Sequence, residues 1–222
     1  MRPFIIMNGE KIDWFHTVIR MLMYLAGVAV LALGMSLQTA SGLGVAALTC
    51  FATTLSMLTG KTLGFWITAT YVAYIVAQFT ILRREFQPRI LLELCLSTLI
   101  GGFMAVNPLH PAALPIQVET MLLSLAVTAF GVSLVVNMGV VPNAPDGLVQ
   151  VIAEKIKRRF GDVKVVFDCS HVAVSLVLSL VLMHNLGGFG VTTAISALFL
   201  GHVINIANKL FAQRFVRAAF GK

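Results

Sequence analysis

Six long apolar runs dominate the chain, at about 17–39, 62–82, 90–108, 117–138, 165–183 and 188–208. Each is close to the ~20 residues that a helix needs to cross a bilayer. Backbone polar groups in hydrocarbon must be satisfied within their own segment, so each run predicts a spanning α-helix. Two further segments, about 45–58 and 146–159, have a helical pattern but suit a crossing poorly. The second opens on Asp146-Gly147, closes on Lys155, Lys157, Arg158 and Arg159, and has few apolar residues between. Both predict short re-entrant helices that do not pass from face to face.

The pattern is duplicated. A shift of 97 carries Ala32, Gly34, Ser36, Leu37 and Gly42 onto Ala129, Gly131, Ser133, Leu134 and Gly139. Beyond that point the sequence reads as if four extra residues, Pro142-Asn143-Ala144-Pro145, enter the second copy. A shift of 101 then carries Ala52, Gly60 and Trp66 onto Ala153, Gly161 and Phe167. Repeated hydrophobic halves are common in membrane transporters, whose substrate site lies where the copies meet. With three spans per half, an odd number, the halves insert in opposite orientations. The expected fold class is therefore all-α: a polytopic membrane protein of six spanning helices plus two short re-entrant helices in an inverted repeat. It forms a single transmembrane domain over 1–222, with half 1 at about 15–108 and half 2 at about 117–208.

Composition agrees with the pattern. The chain is 58% hydrophobic and 11% charged, with a mean hydropathy of +0.91. Soluble domains carry roughly 25% charged residues. The first run is too long for the ~7–15-residue apolar core of a signal peptide, so it reads as a retained helix. The net charge of +7 does not point to nucleic acid, because the basic residues lie beside the membrane and orient the chain. In the six-span arrangement only Lys61 of the sixteen Lys and Arg lies outside, as the positive-inside rule requires. Both termini are then cytoplasmic. The tail at about 209–222 places Leu210, Phe211, Phe215 and Ala218 on one face, which predicts a C-terminal interfacial helix. Cys50, Cys95 and Cys169 lack metal-like spacing and read as buried packing thiols.

Candidate chemistry falls at few places. Two prolines in Pro142-Asn143-Ala144-Pro145-Asp146-Gly147 stop one helix, and Asn143 or Asp146 can cap the next. A helix N-terminus within the membrane offers N–H groups and partial positive charge to an anion or polar solute. Ionisable residues at such depth are costly and point to function. Asp168 and His171 share one helix face, with Lys164 one turn before Asp168 as its local ion-pair partner. His202 and Asn205 repeat the spacing on the last span, and Glu93 follows Arg89 by one turn. Ser36, Gln38, Ser133 and Asn137 lie near the ends of the spans that precede the short helices. The substrate-binding candidates are Asn143, Asp146, Gly147, Asp168, His171, His202 and Asn205. There is no phosphate loop, zinc-ligand set or nucleophile elbow, so an enzyme is not expected. No cofactor or metal is implied.

Gly42-Leu43-Gly44, Thr59-Gly60, Leu63-Gly64, Pro145-Asp146-Gly147-Leu148 and Leu186-Gly187-Gly188-Phe189-Gly190-Val191-Thr192-Thr193 together resemble the YczE/YyaS/YitT family of bacterial integral membrane proteins. The resemblance covers about residues 15 to 208. Val45-Ala46-Ala47 stands where members often carry a Pro-Trp pair. The resemblance implies a multi-pass protein of the bacterial cell inner membrane and names no substrate.

The resulting expectation is a transporter of a small polar or anionic solute, with protons as the coupling ion because Asp and His can titrate. The alternative is a non-transporting membrane scaffold or accessory subunit of another complex. A transporter needs a central polar cavity continuous with the Pro142–Gly147 loop, and a scaffold does not. The expected partners are the lipid bilayer and a small-molecule solute, with no nucleic acid. A homo-oligomer is left open.

Overall fold

The computed structural model describes residues 7–8, 11–105, 111–184 and 189–220, without the side chains of 7–8, 11–12, 89, 99 and 101–105. Among the described residues, a pair of two-residue antiparallel strands, Met7–Asn8 and Lys11–Ile12, precedes eight α-helices. These are α1 (Trp14–Ala40), α2 (Ala47–Thr59), α3 (Leu63–Leu82), α4 (Leu92–Ala105), α5 (Leu114–Met138), α6 (Ala144–Ile156), α7 (Phe160–Leu178) and α8 (Val191–Phe220). Among the described residues, five helical stretches are long and apolar enough to cross a membrane: 14–40, 63–85, 114–138, 160–183 and 191–220. α4 has fourteen described residues, about 21 Å of helix, and the end of its apolar run at 106–108 lies outside the described residues. Large apolar side chains such as Phe15, Leu22, Val72, Leu122 and Val181 face outward, as lipid contact requires.

The two short helices are present. α2 and α6 each have thirteen residues, about 20 Å, too short for a ~30 Å hydrocarbon core. Local chemistry sets their ends. The Asn143 side chain accepts the Asp146 N–H at 3.3 Å and starts α6. α2 stops at Gly60, in the left-handed region at φ 70° where a side chain is disfavoured. At the start of α1, Asp13 accepts the His16 N–H at 3.2 Å. Bonding to that N–H and to the His16 ring holds the Asp13 carboxyl below its ordinary value.

The helix starts revise the register of the repeat. α2 runs 47–59 and α6 runs 144–156; α3 opens at 63 and α7 at 160. Each differs by 97 (144 − 47, 156 − 59, 160 − 63), so no four-residue insertion separates the copies. Pro145, Asp146 and Gly147 lie within the first turn of α6, and Lys157, not Gly161, stands where Gly60 does, with the same left-handed backbone. The 101 shift aligned identities but broke the helical frame.

α1 and α5 pack face to face along the core, where Leu31, Ala32 and Met35 share a cluster with Ala129, Val132 and Val135. A Cβ at Gly34 would lie 2.5 Å from the Thr128 backbone nitrogen, and one at Gly131 would lie 2.5 Å from that of Leu31. The contacts are reciprocal, since 34 + 97 = 131 and 31 + 97 = 128. The short helices exchange partners: α2 packs on α7, and α6 on α3. Their first N–H groups behave alike, Ala47 donating to Ser196 Oγ and Ala144 to Ser97 Oγ, both at 3.2 Å.

Two expectations are corrected. The tail is not a separate interfacial helix, because α8 runs unbroken from Val191 to Phe220. No Gly or Pro interrupts 202–220, and Phe211 and Phe215 pack edge-on against Phe130 of α5. The cysteines are not all buried: Cys50 is, Cys169 is half-buried, and Cys95 is exposed.

Candidate functional site

Four charged side chains are buried where α4, α6 and α7 converge. Lys164 Nζ of α7 lies 3.0 Å from Asp168 Oδ1, one turn along its own helix, and 3.2 Å from Asp146 Oδ1 of α6. These side chains are 1–4% exposed. The fourth, Glu93 of α4, accepts a 2.6 Å bond from Gln78 Nε2 of α3. Gln78 also reaches Ala144 O at 3.5 Å. Gly147 has no side chain where the Glu93 carboxylate lies; a Cβ there would come within 2.7 Å of Glu93 Cδ. The Arg89 side chain, the partner expected for Glu93, lies outside the described residues. Counting formal charges, one lysine against three carboxylates leaves the cluster at −2.

The approach to this cluster is held by backbone contacts. Arg20 Nε donates to Met138 O at 2.7 Å, its Nη2 to Gly139 O at 3.0 Å, and Tyr24 OH to Val141 O at 2.7 Å. These bonds fix the chain between α5 and α6. Against it lies a cavity of about 420 Å3, within the size range of small-molecule sites. It runs from exposed Glu154 and half-buried Gln150 on α6, past Pro142 and Gly147, to buried Gln78 and Glu93. Among the described side chains, no Lys, Arg or His lines it.

The start of α6 does not offer free donors to an anion. Ala144 N–H goes to Ser97, Asp146 N–H to the Asn143 side chain, and Gly147 N–H to Asn143 O at 2.8 Å. Pro145 has no N–H. These bonds leave the first turn without an N–H to give to an anion, and Asp146 adds negative charge at the same place.

Among the substrate-binding candidates, Asn143, Asp146, Gly147 and Asp168 are brought together. His171 lies one turn beyond Asp168 but turns toward aromatic groups: its Nε2 is 2.8 Å from Tyr74 OH, and the ring packs on Phe167 and Phe51. Tyr74 and His171 also differ by 97. His202 is exposed. Asn205 accepts Gly161 N–H at 3.1 Å and donates to Asp162 at 2.7 Å, pinning the start of α7 to α8. Neither belongs to the cluster. Ser133 and Asn137 bond Asn208 of α8 at 2.6 and 2.8 Å. Gln78 and Thr128 carry no signal in the sequence, since a single polar residue in an apolar run has no diagnostic spacing.

Such a predominantly helical chain, with apolar stretches long enough to cross a bilayer and charges buried between them, is a membrane protein. Over residues 18–209 the sequence matches the family described as "Family of unknown function (DUF6198)", and the chain belongs to that family. No curated protein and no solved structure matches it.

Proposed function

We propose that this protein carries a small polar solute, neutral or cationic, across the bacterial cell inner membrane. The observation that carries this reading is the 420 Å3 cavity, which reaches the Pro142–Gly147 loop and ends on Glu93 and Gln78. That continuity favours a carrier over a scaffold. The chemistry of the lining sets the solute class. Gln78 Oε1 is a buried acceptor without a hydrogen-bond partner, and it stands beside a carboxylate. Acceptors in a site whose described side chains include no lysine or arginine suit a solute with N–H or O–H donors, such as a protonated amine or an amide. An anionic solute loses its main support with the bonded N–H groups of α6.

The reading includes six spans and an inverted repeat, with α4 as the third span and both termini cytoplasmic. The reciprocal Gly34 and Gly131 contacts, the exchange of α2 and α6 between halves, and the Tyr74–His171 pair at equivalent positions all support a pseudo-two-fold axis in the membrane plane. The resemblance to YczE/YyaS/YitT proteins supports the bacterial location. The reading assigns no enzymatic step.

A stabilisation screen on purified protein tests the solute class, comparing small amines and amides with small carboxylates. Amines or amides should raise the melting temperature of the wild type and not of Glu93→Gln, and the same solutes should enter liposomes that hold the protein. No stabilisation and no saturable uptake across the panel would return the chain to the scaffold reading.

A further inference from the structure

Beside the buried charges lies a second, smaller cavity of about 30 Å3, walled by residues of α1, α2, α5, α6, α7 and α8. Four of its lining residues each have a buried polar atom without a hydrogen-bond partner: Gln38 Nε2, Thr128 Oγ1, Asp146 Oδ1 and Asp168 Oδ2. Asp146 Oδ1 keeps its 3.2 Å ion pair with Lys164, but not in hydrogen-bond geometry. Among the described residues the one other such atom is Gln78 Oε1, in the larger cavity. Buried polar groups are nearly always partnered, so four at one cavity, from α1, α5, α6 and α7, point to a polar or charged occupant.

Size and charge select the occupant. The volume suits one water-sized particle. Asp146, Asp168 and Lys164 sum to one negative charge (1 − 2), which a neutral water leaves uncompensated. A proton needs a single carboxylate oxygen and gives Thr128 and Gln38 no role. A divalent hard cation gathers six to eight oxygens and more negative charge than this. A monovalent cation uses every group: two carboxylate oxygens, the threonine hydroxyl, and the Gln38 amide oxygen once that amide is turned, its O and N being interchangeable by rotation.

We propose that this cavity binds one sodium-sized monovalent cation, which takes the coupling role assigned to protons from the sequence alone. The coupling rests on the carrier reading; the cation site does not. Asp146 lines the small cavity and Gly147, the next residue, lines the large one. A cation held by Asp146 therefore fixes the turn of helix that walls the solute site.

The test uses the full-length protein in detergent, with sodium chloride replaced by potassium or choline chloride at constant ionic strength. Sodium should raise the melting temperature saturably, and radiosodium should bind at about one per chain. Asp168→Asn should abolish both effects. Thr128→Val, which keeps shape and removes only the hydroxyl, should weaken sodium binding at least about tenfold. Equal melting temperatures in all three salts would mean that the cavity holds water only and would overturn the proposal, as would unchanged sodium binding in both variants. Sodium binding without solute uptake upholds the site and sinks the carrier; uptake without sodium binding does the reverse.

Discussion

Lys164 on α7 reaches Asp146 on α6 across the helix interface, 3.2 Å away, while holding Asp168 on its own helix at 3.0 Å. One ammonium thus serves two carboxylates from two elements, and the three do not respond alike to mutation. Asp168→Asn leaves Lys164 with Asp146, a balanced pair. Lys164→Gln leaves two carboxylates buried side by side. Removing one partner of a buried ion pair costs about 3–5 kcal/mol, so Lys164→Gln should lower stability by roughly that amount, with Asp168→Asn well below it. Denaturation in detergent of the two purified variants checks the order.

Transport should separate from stability. Asp168→Asn is expected to abolish uptake in liposomes while expression and folding stay near wild type. Adding Lys164→Gln should not restore uptake, because the charge of a working group cannot be replaced by removing its neighbour. Full uptake in the double variant would make the pair structural.

Gly147 tests the larger cavity from the opposite wall. A methyl group there meets the Glu93 carboxylate, so Gly147→Ala should push Glu93 aside and weaken solute binding at least about tenfold. Stabilisation by the solutes that protect the wild type is the measurement, and an unshifted affinity would remove Glu93 from the site.

The α1–α5 crossing predicts a contrast among glycines. Gly34→Ala and Gly131→Ala each drive a Cβ into backbone and should cost about 1–3 kcal/mol, the usual range for overpacking. Gly64 has nothing within 4 Å, and Gly64→Ala should be neutral or stabilising by up to about 1 kcal/mol. Melting temperatures of the three variants decide it.

Topology is testable by thiol labelling in a background lacking Cys50, Cys95 and Cys169. Thiols at 112 and 184 should react from outside. Those at 87, 157 and 218 should react from the cytoplasm alone. External labelling at 87 would break the six-span arrangement.

Five of the six expected spans and both short helices were legible because length and hydropathy decide them locally. The register of the repeat was not, since chance identities such as Gly60 with Gly161 outweighed the helical frame. In the cluster, Asn143, Asp146 and Asp168 could be read from capping chemistry and from charge in an apolar run. Lys164 was legible as the partner of Asp168, but its bond to Asp146 depends on how α6 meets α7. His202 and Asn205 show the limit of the method. Three-residue spacing puts two groups on one helix face, but it does not say which way that face turns.

The Asp146–Lys164–Asp168 triad lies in one copy, and among the described residues the buried charges of the other are Arg20 and Glu93. Where the second half has Asp146, Lys164 and Asp168, positions 97 residues earlier hold Thr49, Ile67 and Tyr71. A scaffold whose halves were chemically identical would have equal energies facing either side of the membrane. Placing that lysine and both aspartates in one half removes the degeneracy, so on the carrier reading the two orientations differ in energy and one of them is the resting state. Moving the same three charges to positions 49, 67 and 71 should shift the resting state toward the opposite side of the membrane.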